Sequence, residues 1–323
     1  MLKREYAMNV FSYDSKTPLR RFLLALGLLS AFIVPAATAS STAPQRFATP
    51  EEAIEALVAA ARADRPQDLV RILGSEGRDL IYSGDPVSDR AGRARFVANY
   101  DQQHKIEQDQ QGRDVLVVGS DQWPMPIPLV QSEGQWHFDA DAGAREVLRR
   151  RIGRNELSTI EVCRAYVDAQ REYASTSHSG DDVLEYAQKF LSSPGQHDGL
   201  FWESAPGQPQ SPIGPLVAHA RAEGYPTPTH KGEHAPYHGY FYRILTRQGE
   251  HAPGGAHDYV AHGHMIGGFA LVAFPAKYGD SGVMTFIVNQ DGVVYQGNLG
   301  PNTAAIARNM TSFDPGLGWT KVP

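Results

Sequence analysis

The hydrophobic positions of this chain change period as the chain proceeds. Ile54, Leu57, Val58 and Ala61 recur at three- to four-residue spacing. They follow Thr49-Pro50-Glu51-Glu52, where a capping residue, a proline at the first helical position and two acidic residues predict a helix start. Pro66 predicts a second, short helix carrying Leu69, Val70, Ile72 and Leu73, and Asp89 to His104 repeats the helical spacing through Phe96, Val97 and Tyr100. The pattern then turns to short apolar runs at Val115 to Val118, Ile127 to Val130 and Gln135 to Phe138, around turns at Gly119-Ser120 and Glu133-Gly134. Helices first and antiparallel strands afterwards predict an α+β arrangement.

A second helix-then-strand series follows. From Ser158 to Ala174, Ile160, Cys163, Tyr166, Val167 and Tyr173 mark one broad apolar face, with Glu161, Arg164, Asp168 and Arg171 on the other. This helix is entered through Arg149-Arg150-Arg151-Ile152-Gly153-Arg154-Asn155-Glu156, whose arginines suit a helix end before Gly153 or a clamp between two domains. The stretch 175–239 is rich in proline, glycine and serine and reads as a long surface loop, with short helices expected at Tyr186 to Leu191 and Pro215 to Glu223. Strands are expected at Tyr240 to Leu245, Phe269 to Phe274 and Met284 to Val288. Asn289-Gln290-Asp291-Gly292 then turns the chain into Val293 to Gln296. The expected second half is one long helix on an antiparallel meander.

Composition changes the picture mainly at the start. Lys16, Arg20 and Arg21 precede the apolar run Phe22 to Val34, and Ala37-Thr38-Ala39 supplies a small-x-small cleavage site, the three-part pattern of a secretory signal. A run of this length falls short of the roughly 20 residues needed to span a bilayer. The expectation is a periplasmic or secreted chain beginning near Ser40, with no membrane span after cleavage. Residues 1–39 carry a charge of +3, so the whole-chain value of −6 becomes about −9 without them. Nucleic acid is a poor partner for that balance. Cys163 is the single cysteine, which excludes an intramolecular disulfide and multi-cysteine metal sites, and its place on the apolar stripe marks it as a core residue.

Several long motifs carry a resemblance. Asp121-Gln122-Trp123-Pro124-Met125-Pro126-Ile127-Pro128, Arg151-Ile152-Gly153-Arg154-Asn155-Glu156, Cys163 to Ala174, Pro236-Tyr237-His238-Gly239-Tyr240-Phe241 and Met265 to Ala273 resemble a bacterial envelope family known as domain of unknown function 2950. The resemblance spans Phe47 to Pro323 and implies no particular activity or catalytic residue. The first half also resembles the cone-shaped fold of nuclear transport factor 2 and polyketide-cyclase relatives. The second resembles the globular head of type IV pilins, without the apolar assembly helix and prepilin pattern of a pilus subunit.

Candidate chemistry is sparse. Seven of the twelve histidines, from His230 to His264, fall within 35 residues. His234, His238, His262 and His264 are the candidate metal ligands, for zinc if the loops converge. Pro236 argues against a helix presenting the first two together, and surface histidines without a ligand are the competing reading. Gly279-Asp280-Ser281-Gly282, with His257-Asp258 upstream, echoes a serine protease motif, but glycine, aspartate and serine between two strands are explained as turn formers. A cone-like first half would place Tyr100, Trp123, Trp136 and His137 at a ligand pocket, with Tyr82 beside them and Asp85, Asp101 or His104 as polar groups. The alternative is that the aromatics are core. Gly267-Gly268 lacks the spacing of a phosphate loop, and the sequence points to no cofactor and no catalytic residue.

These readings predict an exported two-domain protein: a cone-like α+β domain over 47–145, and a helix with an antiparallel sheet over 146–323. Its expected role is non-catalytic binding of an envelope protein, glycan or small molecule. The alternative is a carrier or enzyme using a first-domain pocket.

Overall fold

The computed structural model describes residues 43–178, 180, 182–205, 207–226 and 235–323. The candidate leader, 1–39, lies outside the described residues. The stretch Ser41–Pro323 forms one compact unit with two hydrophobic clusters.

The first cluster is built by local signals. Helix α1 (Pro50–Arg62) is capped twice at its start: Thr49 accepts the Glu52 amide at 3.2 Å, and Glu52 reaches back past the cap to accept the Ala48 amide at 3.1 Å. Helix α2 (Pro66–Leu73) and the single turn α3 (Arg78–Ile81) follow, then α4 (Pro86–Gln102), capped by Asp85 on the Ser88 amide. Strands β1 (His104–Gln108), β2 (Asp114–Val118), β3 (Trp123–Pro124), β4 (Leu129–Ser132) and β5 (Gln135–Phe138) form an antiparallel sheet in the order β1-β2-β4-β5, with β3 on β2. Leu116, Val118, Leu129 and Phe138 face the helices and are buried with Ile54, Leu57, Leu69 and Ile72. β1 departs from the sequence expectation, which runs α4 on to His104. Gln103 takes extended backbone and the chain reverses into the sheet.

The largest departure is α5 (Ala140–Tyr173), 34 residues long and capped by Asp139 on the Ala142 amide. It begins 18 residues before Ser158 and runs through Gly153. A glycine inside a helix costs about 1 kcal/mol, and the buried bonds made on either side by Arg151 and Asn155 offset it. Ala144, Val147 and Leu148 pack on the first cluster; Ile160, Cys163, Tyr166, Val167 and Tyr173 belong to the second. Gly143 sets the close approach to the first half: a Cβ there would lie 2.6 Å from the Pro126 carbonyl and 2.7 Å from the Ile127 side chain.

The second half follows the predicted plan. After α6 (Gly214–Ala222) come β6 (Tyr240–Leu245), β7 (Arg247–Gln248), β8 (His257–Asp258), β9 (Val260–Ala261), β10 (His264–Met265), β11 (Ala270–Pro275), β12 (Thr285–Asn289), β13 (Tyr295–Gly297), helix α7 (Thr303–Asn309), β14 (Ser312–Phe313) and β15 (Thr320–Lys321). The main sheet runs β15-β13-β12-β11-β6, all antiparallel, and α5 lies on β11 and β12. Small pieces β7, β8 and β14, and the β9–β10 hairpin, complete the fold. The Pro/Gly-rich stretch is more than a surface loop: its Ala187, Leu200, Phe201, Trp202 and Ile213 are buried in the second cluster. Tyr186 to Leu191 is irregular rather than helical, bending at Gln188 and Phe190, with Tyr186 bridging to Met265 and Leu191 to Phe201.

Candidate functional site

Between the two clusters the inward positions of α5 turn polar. Arg151, Asn155 and Thr159, four residues apart, are all buried. The Arg151 guanidinium donates to the Asp79 carbonyl at 2.8 Å, the Leu80 carbonyl at 2.5 Å and Asp280 Oδ1 at 2.8 Å. Lys277 Nζ lies 2.8 Å from Asp79 and 2.5 Å from Asp280. Asn155 donates to the Ser281 carbonyl, and Glu156 accepts the amides of Val283 and Met284. Asp85 caps α4 with one oxygen and accepts the Tyr225 hydroxyl and the Gly239 amide, both at 2.8 Å, with the other. Within the arginine-rich tract, Arg151 with Asn155 and Glu156 thus joins the two clusters, while Arg149 and Arg150 pair with Glu146 of the same helix. The Gly279–Gly282 tetrapeptide is one side of this joint. Ser281 is fully buried, its Oγ accepting the Lys277 amide and donating to the Lys277 carbonyl. The ring nitrogens of His257 lie 3.2 Å from the carbonyls of Gly255 and Gly267, and Asp258 pairs with Arg247.

The candidate site lies on the far face of the first sheet. Strand alternation sends Leu116 and Val118 into the cluster and Val115 and Val117 the other way. Those two valines, with Pro124, Met125, Pro126 and Pro128, line a cleft of about 300 Å³. The tract Asp121 to Pro128 supplies this wall because β3 pairs with the end of β2 and the Met125 amide donates to the Leu116 carbonyl at 2.7 Å. Charged groups ring it, Asp109 and Arg113 at one end, Glu146 and Arg150 of α5 at the other. Bonds from the Arg113 amide and guanidinium hold the Asp109 carboxyl below its ordinary range, and bonds from Arg149 and Arg150 do the same for Glu146. Arg150 is paired at one nitrogen only. Its Nε bonds Glu146 and its guanidinium lies 4.7 Å over the Trp123 ring, yet Nη1 is buried with no acceptor among the described residues. The Arg154 guanidinium, one turn on, is pushed down by desolvation and by the charges of Arg95, Arg151 and Arg150.

The sequence model of the family described as "Protein of unknown function (DUF2950)" matches residues 44–322. The chain belongs to the DUF2950 family. No curated protein and no solved structure matches it.

This DUF2950 fold separates the four aromatic and histidine candidates. Tyr100, stacked on His104 with ring centroids 3.8 Å apart, and Trp136 both pack on the first cluster. Trp123 stands under Arg150, 39 % exposed. His137, opposite Val130, shares the sheet face of Val115 and Val117, with a buried Nδ1 that has no partner among the described residues. Asp101 is held by Arg62 at 2.6 and 2.8 Å, and Tyr82 lies under Arg78. Sequence alternation does not single out Val115 and Val117, because Val115 to Val118 is apolar throughout. The orphaned Arg150 atom leaves no mark in the sequence at all.

The histidines of the DUF2950 chain are dispersed among carboxylates. His238 Nε2 lies 3.4 Å from Glu223 and His264 Nδ1 3.3 Å from Glu185, while His262 sits in the β9–β10 turn with φ of 53°. His230 and His234 lie outside the described residues. Among the described residues no three His, Cys, Asp or Glu side chains are grouped to hold a metal ion.

Proposed function

We propose that this chain is an exported, non-catalytic binding module of the bacterial envelope, and that the cleft over Val115 and Val117 is where its ligand sits. The observation that carries the reading is the apolar cleft itself, floored by Val115, Val117 and the prolines, with the partly exposed Arg150 side chain at its rim. The exposed part of the Arg150 guanidinium offers a charged donor to a ligand oxygen at the rim. The floor favours an extended ligand with apolar surface, and the paired rim charges fix its orientation. Carboxylates held below their ordinary range, as Asp109 and Glu146 are, orient a ligand better than they take up protons, which favours binding over acid–base catalysis.

The family resemblance to an envelope protein and the secretory pattern at Lys16 to Ala39 support the address. A thermal-shift panel of carboxylate- and carbonyl-bearing small molecules on residues 41–323 tests the site. Stabilisation by a panel member is expected, lost in both Arg150→Gln and Val117→Glu. Stabilisation that survives both substitutions would place the ligand elsewhere, and the absence of any shift across the panel would count against a small-molecule cleft.

A further inference from the structure

Most arginines of α4 and α5 are matched with carboxylates. Arg90 and Arg93 share Asp64 at 2.9 and 2.7 Å. Arg149 and Arg150 share Glu146 at 2.7 and 2.5 Å, and Arg151 holds Asp280 at 2.8 Å. Arg95 on α4 and Arg145 and Arg154 on α5 have no ion pair and no side-chain hydrogen bond among the described residues. Two of these three, Arg95 and Arg154, lie together.

α4 is held beside α5 by the chain that precedes it. Arg151 takes the Asp79 and Leu80 carbonyls, and Asp89 of α4 takes the Ser83 amide at 3.1 Å. Arg154 follows Arg150 by four residues, so it continues the side of α5 that borders the cleft, about 6 Å further along the axis. The charges that act on Arg154 are those of Arg95, Arg151 and Arg150, and with desolvation they hold its guanidinium below the ordinary arginine range. The surface of α4 beside Arg95 is open, since a Cβ added at Gly92 would meet only Arg95 Nη2, at 3.9 Å. Two like charges kept together without an acceptor repel, and an anion seated between them replaces the repulsion with charge-assisted hydrogen bonds.

The chemistry of the anion follows from the donors. A carboxylate has the oxygens and the charge for one guanidinium fork. A phosphate group, with about −1.5 to −2 charge and a further oxygen, suits two forks that come from different helices. The whole chain carries −6, so the positive patch is local and fits one anionic group rather than a polyanion.

We propose that Arg95 and Arg154 form a binding site for a single phosphate group, one helical turn beyond the Arg150 end of the cleft. The site stands whether or not a ligand occupies the cleft. The group is free phosphate or the headgroup of a phospholipid, and two arms of one experiment separate these sources. Titration calorimetry of residues 41–323 with inorganic phosphate, at ionic strength held constant with sodium chloride, is expected to show saturable binding at one site per chain. Arg95→Gln and Arg154→Gln, with folding confirmed by circular dichroism, are each expected to weaken it at least about tenfold. Arg149→Gln removes an arginine of the same helix that is already paired with Glu146, and is expected to leave binding unchanged. In the second arm the chain is sedimented with phosphatidylcholine vesicles that contain or lack phosphatidic acid. Retention that requires phosphatidic acid and both arginines, beside no response to inorganic phosphate, assigns the lipid headgroup. Failure to bind either source, or binding left unchanged by Arg95→Gln or by Arg154→Gln, would overturn the proposal.

Discussion

The two sheets of this molecule are used in opposite ways. Every residue of β11 and β12 is buried, because α5 covers one face of the second sheet while α7 and β14 lie against β11. β1 has no fully buried residue, and β2 carries its burial toward its C-terminal end. The first sheet packs one face on helices and leaves Val115, Met125 and their neighbours to line a cleft. A sheet covered on both faces can hold a shape but has little surface left for recognition. The second half therefore keeps little open sheet surface, and the cleft proposed for a ligand lies where the first sheet meets α5.

The largest effect should come from breaking the joint that holds the two sheets in one unit. Arg151→Ala leaves the Asp79 and Leu80 carbonyls without their buried donor and Asp280 with Lys277 alone, and urea denaturation should show a loss of about 3 kcal/mol. The contrast between the sheets is sharpened by a matched pair. Val272→Thr places a hydroxyl in the fully buried β11 and is expected to cost about 1–3 kcal/mol. Val115→Thr, on the cleft floor, should cost less than about 0.5 kcal/mol. Equal losses would erase the distinction.

Acid should weaken the second half first. Desolvation lowers the affinity of His178 and His238 for a proton, more than the Tyr173 carbonyl or Glu223 restores. The unfolded chain then binds more protons than the fold. Stability is complete above the ordinary histidine range near 6.5 and declines as pH falls from there through each depressed folded value. Urea midpoints across that window should fall with pH in the wild type and fall less steeply in His178→Gln. The smallest effect is expected at Cys163. Burial pushes its thiol up to about 12, so a thiol reagent should react only in step with global unfolding.

The repeated helix-then-strand order was legible because its signals are local. Thr49-Pro50-Glu51-Glu52 caps a helix, and the strands around Ala270 and Thr285 are near-continuous apolar runs. The start of α5 was obscured by Gly153 and by a core face that turns polar at Arg151 and Asn155, where buried bonds to distant loops replace apolar contacts. Pattern analysis reads such residues as solvent-facing. The candidate site was legible only in outline. The Asp121 to Pro128 tract stood out as a motif, and Trp123 does lie at Arg150, but which valines face outward depends on sheet register, and an unmet donor exists only in three dimensions.

One consequence of α5 concerns inheritance rather than binding. Its first turns belong to one hydrophobic cluster and its last turns to the other, across 34 uninterrupted residues. A recombination breakpoint anywhere from Asp139 to Ala174 would split that helix and leave apolar positions bare on both fragments. The halves of this chain should therefore travel through evolution together, and neither should be found as a freely shuffled part.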